Sequence, residues 1–198
     1  MVFGRSLQRA QTVFLNRIPA GALVLIVGGG TGWPLEPLLA NGQPNRIVYL
    51  EASAQMVARA SRRVLKRQLL GTVEFRVGDE TTLQPIDQFD TIITPFVLDL
   101  FTAQTLRMRL LPRLRTALKP GGQWLVTDFV PAGSWGKKTL IQTMIWFFRL
   151  TANIEARQLV DWQSLMAEMD LTLQERSPQL GGLVSAEVWR LTGSEAVL

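Results

Sequence analysis

The chain has 198 residues, of which 47% are hydrophobic and 19% charged, a composition that suits one folded domain with a sizeable core and excludes a disordered chain. It contains no Cys and no His, which excludes disulfides, thiolate nucleophiles, zinc–thiolate sites and the usual general base near neutral pH. Any proton transfer therefore falls to Asp, Glu, Lys, the single Tyr or water.

The formal net charge of +5 leaves nucleic acid or an anionic membrane open as partners. The densest group of cations lies on one predicted helix, where a solvated face is the simpler interpretation and a partner surface the alternative. Its members are Arg59, Arg62, Arg63, Lys66 and Arg67. No aromatic residue interleaves this group, so we expect no nucleic acid partner.

Strands and helices alternate along the first half of the chain. Apolar runs predict strands at 23–27, 47–50 and 73–77. Helices are predicted at 35–40, with Pro34 in the first turn, and from a Ser53 cap to about residue 68. This order is typical of parallel strands joined by crossover helices.

The second half continues the alternation and then changes. A strand at 91–94 is followed by a helix at 103–118, which Lys119-Pro120-Gly121-Gly122 ends, and by a strand at 123–127. A helix capped by Asp161 precedes strands at 171–175 and 185–191, which predict an antiparallel edge because no helix separates them. We therefore expect one α/β domain spanning 1–198, with a doubly wound, mostly parallel seven-stranded sheet.

Two features indicate a nucleotide-like cofactor. The run from Val24 to Gly32 reads Val-Leu-Ile-Val-Gly-Gly-Gly-Thr-Gly, so a strand enters a glycine-rich turn that a ligand can approach closely. Glu51 ends the next strand, where a carboxylate would accept hydrogen bonds from both hydroxyls of a ribose. The pair predicts an adenosine-bearing cofactor across the carboxyl ends of the first two strands.

A nicotinamide-dependent oxidoreductase would share these two features. Its fingerprint requires a further glycine where this chain has Trp33, and a Tyr-x-x-x-Lys pair is absent because Tyr49 lies inside a strand. The oxidoreductase alternative is therefore the weaker one.

Taken together and in order, the motifs resemble class I S-adenosylmethionine-dependent methyltransferases, of the set that includes ubiquinone and menaquinone methyltransferases. Gly28, Gly30 and Gly32 match the glycines of the first motif, and Gly78-Asp79 matches the acid after strand three. The segment Phe89-Asp90-Thr-Ile-Ile-Thr-Pro-Phe matches the fourth strand, and Lys119-Pro120-Gly121-Gly122 the turn before strand five. The resemblance implies a Rossmann-like fold, S-adenosyl-L-methionine as cofactor and a methyltransferase activity.

The resemblance also implies which residues hold the cofactor. It assigns the ribose to Glu51, the flanks of the adenine to Ala52 and Met56, and the adenine amino group to Asp79. The full set of cofactor residues expected on this basis is Gly28, Gly30, Gly32, Glu51, Ala52, Met56, Asp79, Glu80 and Thr94. The family usually has an acid two residues before the first glycine, and here that position is Ile26, which puts recognition of the methionine amine in doubt.

Methyl transfer from a sulfonium is an in-line displacement, so the protein mainly aligns the reactants. An acceptor that must lose a proton would still need a base. Asp99, which follows strand four, is the first candidate, and Asp128, which follows strand five, is the second. For each residue a local structural role is the alternative. No metal site is expected.

The segment at about 131–160 is predicted to be an insert on the acceptor side. Its helix 135–150 is apolar around its circumference, which predicts a lid over an apolar pocket, an ordinary core or dimer contact, or an interfacial helix with Lys137, Lys138 and Arg149 at lipid head groups. A pocket lined by Met144, Trp146, Phe147 and Phe148 would favour an apolar or aromatic acceptor. The expected partner is thus a small molecule, with weak membrane contact possible.

We expect a cytoplasmic location, because the sequence shows neither a signal peptide nor a spanning segment. A methyltransferase-like domain that binds its ligand without turnover remains the alternative from a different functional class. The oligomeric state is not predicted.

Overall fold

The computed structural model describes residues 2–41, 44–131 and 159–191. The described residues form seven strands: β1 Leu23–Val27, β2 Arg46–Glu51, β3 Val73–Val77, β4 Phe89–Pro95, β5 Leu118–Phe129, β6 Leu171–Gln179 and β7 Val184–Leu191. They make one sheet in the order β3-β2-β1-β4-β5-β7-β6. Of these strands only β7 runs antiparallel to both of its neighbours. The predicted doubly wound sheet with an antiparallel closing strand is confirmed.

Five helices flank the described strands. They are α1 Val2–Ala10, α2 Leu35–Asn41, α3 Ala54–Lys66, α4 at 103–117, and α5 Trp162–Ala167. Helix α4 consists of an α-helical turn at Ala103–Thr105, a π-helical segment at Leu106–Leu110 and an α-helical segment at Leu111–Ala117. Among the described residues, no helix combines the length and the hydropathy that crossing a membrane requires.

The sheet divides the core into two layers. Alternate residues of each central strand face opposite sides, so Leu25 and Val27 pack with α4 and α5, whereas Val24 and Ile26 pack with α2 and α3. All four side chains are buried. This burial on both faces explains why β1 reads as a continuous apolar run.

Strand order reverses between β1 and β4, because β1 pairs in parallel with β2 on one side and with β4 on the other. The carboxyl ends of these strands therefore open a crevice at the reversal point, the position where open α/β sheets bind their ligands. The glycine-rich turn follows β1, and Glu51 is the last residue of β2. The fold thus brings the two cofactor features to one edge of the sheet.

The start of β5 differs from the sequence prediction. The Lys119-Pro120-Gly121-Gly122 segment is part of an extended strand that begins at Leu118, because Leu118 pairs with Phe89 before the register shifts. The ammonium of Lys119 lies 2.8 Å from Asp90, whose other oxygen accepts a hydrogen bond from the Leu23 N–H. These contacts hold the segment against the amino end of the sheet.

Helix α3 approaches the glycine-rich turn closely at Gly32. A β-carbon added to Gly32 would lie 2.6 Å from the Cβ and 2.8 Å from the Cα of Ala60, and the φ of Gly32 is +78°. Both the contact and the backbone conformation therefore require glycine at this position.

We predict that Gly32→Ala destabilises the protein more than Gly21→Ala. Gly21 has a similar φ of +75°, but an added β-carbon there meets no atom within 4 Å, so it serves as a control for backbone strain alone. The strain costs about 1 kcal/mol at either position, and the displacement of α3 adds about 1–3 kcal/mol at Gly32. Urea unfolding measures the difference, and equal losses for the two variants would contradict the close packing.

Candidate cofactor and methyl-transfer site

The carboxylate of Glu51 connects the glycine-rich turn to the start of α3. Its Oε2 accepts a hydrogen bond from the Gly30 N–H at 3.0 Å, and its Oε1 accepts one from the Ser53 N–H at 3.0 Å. A carboxylate offers about four lone-pair sites, so about two remain for a diol such as that of ribose. The side chain is half-buried.

Residues of β2 also hold the glycine-rich turn. The hydroxyl of Tyr49 donates a hydrogen bond to the Gly30 carbonyl at 2.9 Å, and the Gly28 N–H donates to the Leu50 carbonyl at 2.8 Å. Burial raises the pKa of Tyr49, so its phenol stays protonated as a donor. By contrast, a β-carbon added to Gly30 meets no protein atom within 4 Å, and this glycine has a φ of +60°. The turn is therefore rigid on the protein side and open at Gly30.

The residues expected beside the adenine follow β2 and β3. Ala52 is exposed and Met56 is half-buried on the first turn of α3, where the hydroxyl of Ser53 caps the Met56 N–H at 3.3 Å. Asp79 is exposed, and hydrogen bonds from Thr81 lower its pKa, so it is anionic at neutral pH. Because the Gly78 N–H donates to the Glu51 carbonyl at 3.0 Å, the end of β3 lies beside the end of β2.

Two other predicted cofactor residues have side chains committed elsewhere. Thr94 is fully buried, and its hydroxyl accepts a hydrogen bond from the Trp124 indole at 3.0 Å. Glu80 is also buried, and its Oε1 lies 2.6 Å from the Nε of Arg109. Both side chains are buried and already have partners, and their assignment to the cofactor stays a prediction.

Ile26 occupies the position where the family usually has an acid. Its side chain is fully buried in the layer that packs against α2 and α3, in the same cluster as Tyr49. It offers no polar contact to a methionine amine. Any recognition of the methionine amine would therefore fall to another group.

Asp128 is a fully buried carboxylate at the end of β5. Its Oδ2 accepts hydrogen bonds from the Val97 N–H at 3.0 Å and the Leu98 N–H at 2.7 Å, and its Oδ1 accepts one from the Phe129 N–H at 2.8 Å. These contacts hold the segment that follows β4 against the end of β5. The structure thus gives Asp128 a defined positioning role.

Asp99, the first of the two candidate bases, lies beside Asp128, the second. The two carboxyls are close enough to affect each other's pKa. Burial raises the pKa of Asp99 to about 6, and burial together with the adjacent Asp99 also raises the pKa of Asp128. The Oδ1 of Asp99 is buried and has no hydrogen-bond partner among the described residues.

Apolar side chains that the sequence did not single out surround the ends of β4 and β5. Phe96 packs against Phe129 with ring centroids 5.3 Å apart, and Leu7 of α1 and Leu159 belong to the same cluster. Phe96 also has a φ of +57°, an uncommon conformation for a residue with a side chain that often marks a functional site. The sequence signal was the Thr-Pro-Phe end of β4, which predicts the site but not the conformation.

The proposed lid residues Met144, Trp146, Phe147 and Phe148 lie outside the described residues, as do Lys137, Lys138 and Arg149. No metal-binding group of three or more acidic side chains occurs among residues 2–41, 44–131 and 159–191.

Comparison with protein families identifies the class of this arrangement. The family model described as "Methyltransferase domain" matches residues 24–122, which include the glycine-rich turn, Glu51 and Asp79. The chain belongs to this methyltransferase family. Its cofactor is S-adenosyl-L-methionine, and the expected enzyme class is confirmed over the oxidoreductase alternative. The ubiquinone-like subtype stays a prediction. The comparison with curated protein sequences finds no match.

Solved structures show the same fold. YcgJ from Bacillus subtilis is similar with a TM-score of 0.71 and 14% identity, over 94% of this chain and 99% of that one. The mitomycin 7-O-methyltransferase MmcR gives a TM-score of 0.73 and 22% identity, over 95% of this chain and 54% of that one. The 1,6-didemethyltoxoflavin-N1-methyltransferase of Burkholderia thailandensis, solved with 1,6-didemethyltoxoflavin and S-adenosylhomocysteine, gives 0.70 and 16%, over 94% and 78%.

We predict that Asp99→Asn changes the pH dependence of stability. Because the pKa of Asp99 is raised from 3.8 to about 6, the native state binds more protons than the unfolded state between these pH values. Wild-type stability therefore falls as pH rises through this window, and the asparagine removes that loss. Relative to wild type, the variant should gain on the order of 2 kcal/mol between pH 4 and pH 7 in urea unfolding.

Asp90→Asn is the control for this experiment. Burial acts to raise the pKa of Asp90, but hydrogen bonds from Lys119 and the Leu23 N–H outweigh burial and lower this pKa. The stabilisation that the Asp90 carboxylate provides is therefore already present above pH 4. The difference in the free energy of unfolding between Asp90→Asn and wild type should stay constant from pH 4 to pH 7. A constant difference for Asp99→Asn as well would contradict a raised pKa at that residue.

Proposed function

We propose that this methyltransferase acts on a small apolar or aromatic acceptor whose methylated atom first gives up a proton to Asp99. The observation that carries the proposal is the Oδ1 of Asp99, a buried carboxyl oxygen without a described partner at the carboxyl end of β4. An oxygen of this kind can accept a proton from a bound hydroxyl, phenol or enol. Its pKa of about 6 suits a base that works near neutral pH.

The surroundings of Asp99 support an apolar acceptor. The cluster that includes Leu7, Phe96, Phe129 and Leu159 provides aromatic and aliphatic surface beside the ends of β4 and β5, and its Phe96, Leu7 and Leu159 are only partly buried. Pockets for such acceptors combine apolar walls with a few polar groups. The similar methyltransferase from Burkholderia thailandensis was solved with 1,6-didemethyltoxoflavin bound, which supports a small-molecule acceptor.

In the proposed step, S-adenosyl-L-methionine supplies an activated methyl group on a sulfonium. Asp99 would accept the proton from the acceptor atom, which would leave that atom with a free lone pair for the methyl group that the cofactor would supply, with S-adenosylhomocysteine as the leaving group. Asp128 remains bound by three backbone N–H groups and holds Asp99 and the post-β4 segment in place. The apolar cluster excludes water, which strengthens this alignment.

We predict that Glu51→Gln weakens the binding of S-adenosylhomocysteine by about 1.5–3 kcal/mol, because it removes charge-assisted hydrogen bonds to the ribose. The change keeps one acceptor oxygen for the Gly30 or Ser53 N–H, so the turn stays tied. Isothermal titration calorimetry measures the loss. The control is Asp90→Asn, which removes a carboxylate at the amino end of β4, away from the carboxyl ends of the strands. Its affinity for S-adenosylhomocysteine should match that of wild type. Unchanged affinity in Glu51→Gln would remove Glu51 from the cofactor site.

The activity itself is tested with methyl-labelled cofactor and a small-molecule extract, followed by mass identification of the labelled product. With the product in hand, we expect Asp99→Asn to lower kcat by about 10²–10⁴-fold, the range for the loss of a general base. The affinity for S-adenosylhomocysteine should remain at the wild-type value. A full rate in Asp99→Asn would exclude it as the base, and a strongly polar product would exclude the apolar acceptor.

A further inference from the structure

The cations of α3 form one continuous face. Arg59, Arg62, Arg63, Lys66 and Arg67 follow one another at intervals of three, one, three and one residues, the spacing of a single helical stripe. Like charges so spaced repel one another and destabilise an isolated helix. We call these five residues the cationic face of α3.

Only part of this charge is balanced by the described residues. Glu36 of α2 lies 2.6 Å from the Nη1 of Arg63 and 3.5 Å from the Nε of Arg67. No ion pair to a residue within 2–41, 44–131 or 159–191 involves Arg59, Arg62 or Lys66, and the Nε of Arg62 only donates to the Ala58 carbonyl. The cationic face therefore keeps an excess of positive charge.

A surface groove lies along the cationic face. Its five side chains and Thr31 line a surface groove of about 570 Å³. Arg63 connects the two sides, since its Nε donates to the Thr31 carbonyl at 3.0 Å. Thr31 belongs to the glycine-rich turn, so the groove lies directly beside the cofactor crevice.

Two large apolar side chains are exposed at the carboxyl-terminal end of α3 and just after it. Leu65 is 73% exposed within α3, and Leu70 is 87% exposed just after it. A nucleic acid backbone would offer the cations partners but the leucines none, and no aromatic residue lines the groove for base stacking. A lipid surface offers both anionic head groups and an apolar layer.

We propose that the cationic face of α3, with Leu65 and Leu70, docks this protein on an anionic phospholipid membrane surface. The cations meet the phosphate groups, and the two leucines enter the head-group boundary. Because Thr31 lines the same groove, docking holds the cofactor crevice next to the lipid. The contact does not depend on the acceptor or on the base proposed above.

The test is co-sedimentation of the full chain with phosphatidylcholine vesicles that contain or lack phosphatidylglycerol, at low and high salt. Wild type should bind only the vesicles with phosphatidylglycerol, and less at high salt. Combined Arg59→Gln, Arg62→Gln and Lys66→Gln should weaken binding about 100-fold, at about 1 kcal/mol per cation. Combined Leu65→Ser and Leu70→Ser should remove the binding that persists at high salt.

The matched control combines Arg17→Gln, Arg107→Gln and Arg190→Gln, which removes the same charge from other surfaces. It should bind within about threefold of wild type if the cationic face is the contact. Circular dichroism melts establish that each variant is folded. The proposal is overturned if both triple variants lose binding equally, if the α3 variant binds as wild type, if no vesicle is bound, or if duplex DNA binds more tightly than the vesicles at the same salt.

Discussion

The carboxylate of Asp128 is the constraint on which the arrangement of this site depends. Burying a carboxyl group is costly, and in this chain the cost is offset by three backbone N–H groups rather than by a described cation. Two of those N–H groups belong to Val97 and Leu98, so the carboxylate dictates the path of the chain after β4. The same path keeps Phe96 in its left-handed conformation and brings Asp99 beside Asp128.

Two other carboxylates can be compared with that of Asp128. Glu51 orders the cofactor side of the site through backbone N–H groups, as Asp128 does after β4, whereas Glu187 has a purely structural role. Glu51 binds the Gly30 and Ser53 N–H groups and keeps acceptor capacity for a ligand. Glu187 is fully buried too, but its oxygens receive hydrogen bonds from Arg176 and the Ser185 and Trp189 side chains. With its charge paired and its oxygens occupied, Glu187 stabilises the β6–β7 edge. Asp99 has neither a described cation nor a described partner for its Oδ1, and it lies in the turn that follows β4.

The charge on the surface is distributed unevenly around this crevice. The ends of β4 and β5 present apolar side chains such as Phe96 and Phe129, whereas the groove beside the glycine-rich turn presents the cationic face of α3. An apolar acceptor and an anionic surface would therefore approach from different sides of the cofactor. The sequence showed the spacing of the cations. Which of them pair with Glu36 depends on how α2 packs on α3, and in the structure these are Arg63 and Arg67.

The sequence by itself determined the alternation of strands and helices, the extent of β1 and β3, the glycine-rich turn and the position of Glu51, because each follows from a short run of neighbouring residues. Only the tertiary structure decided the length of β5 and the burial of Thr94, since both depend on pairing with a strand distant in the chain. The same is true of the contact between Asp99 and Asp128. Asp99 lies in the turn after β4 and Asp128 is the penultimate residue of β5, and the two come together because parallel β4 and β5 end side by side.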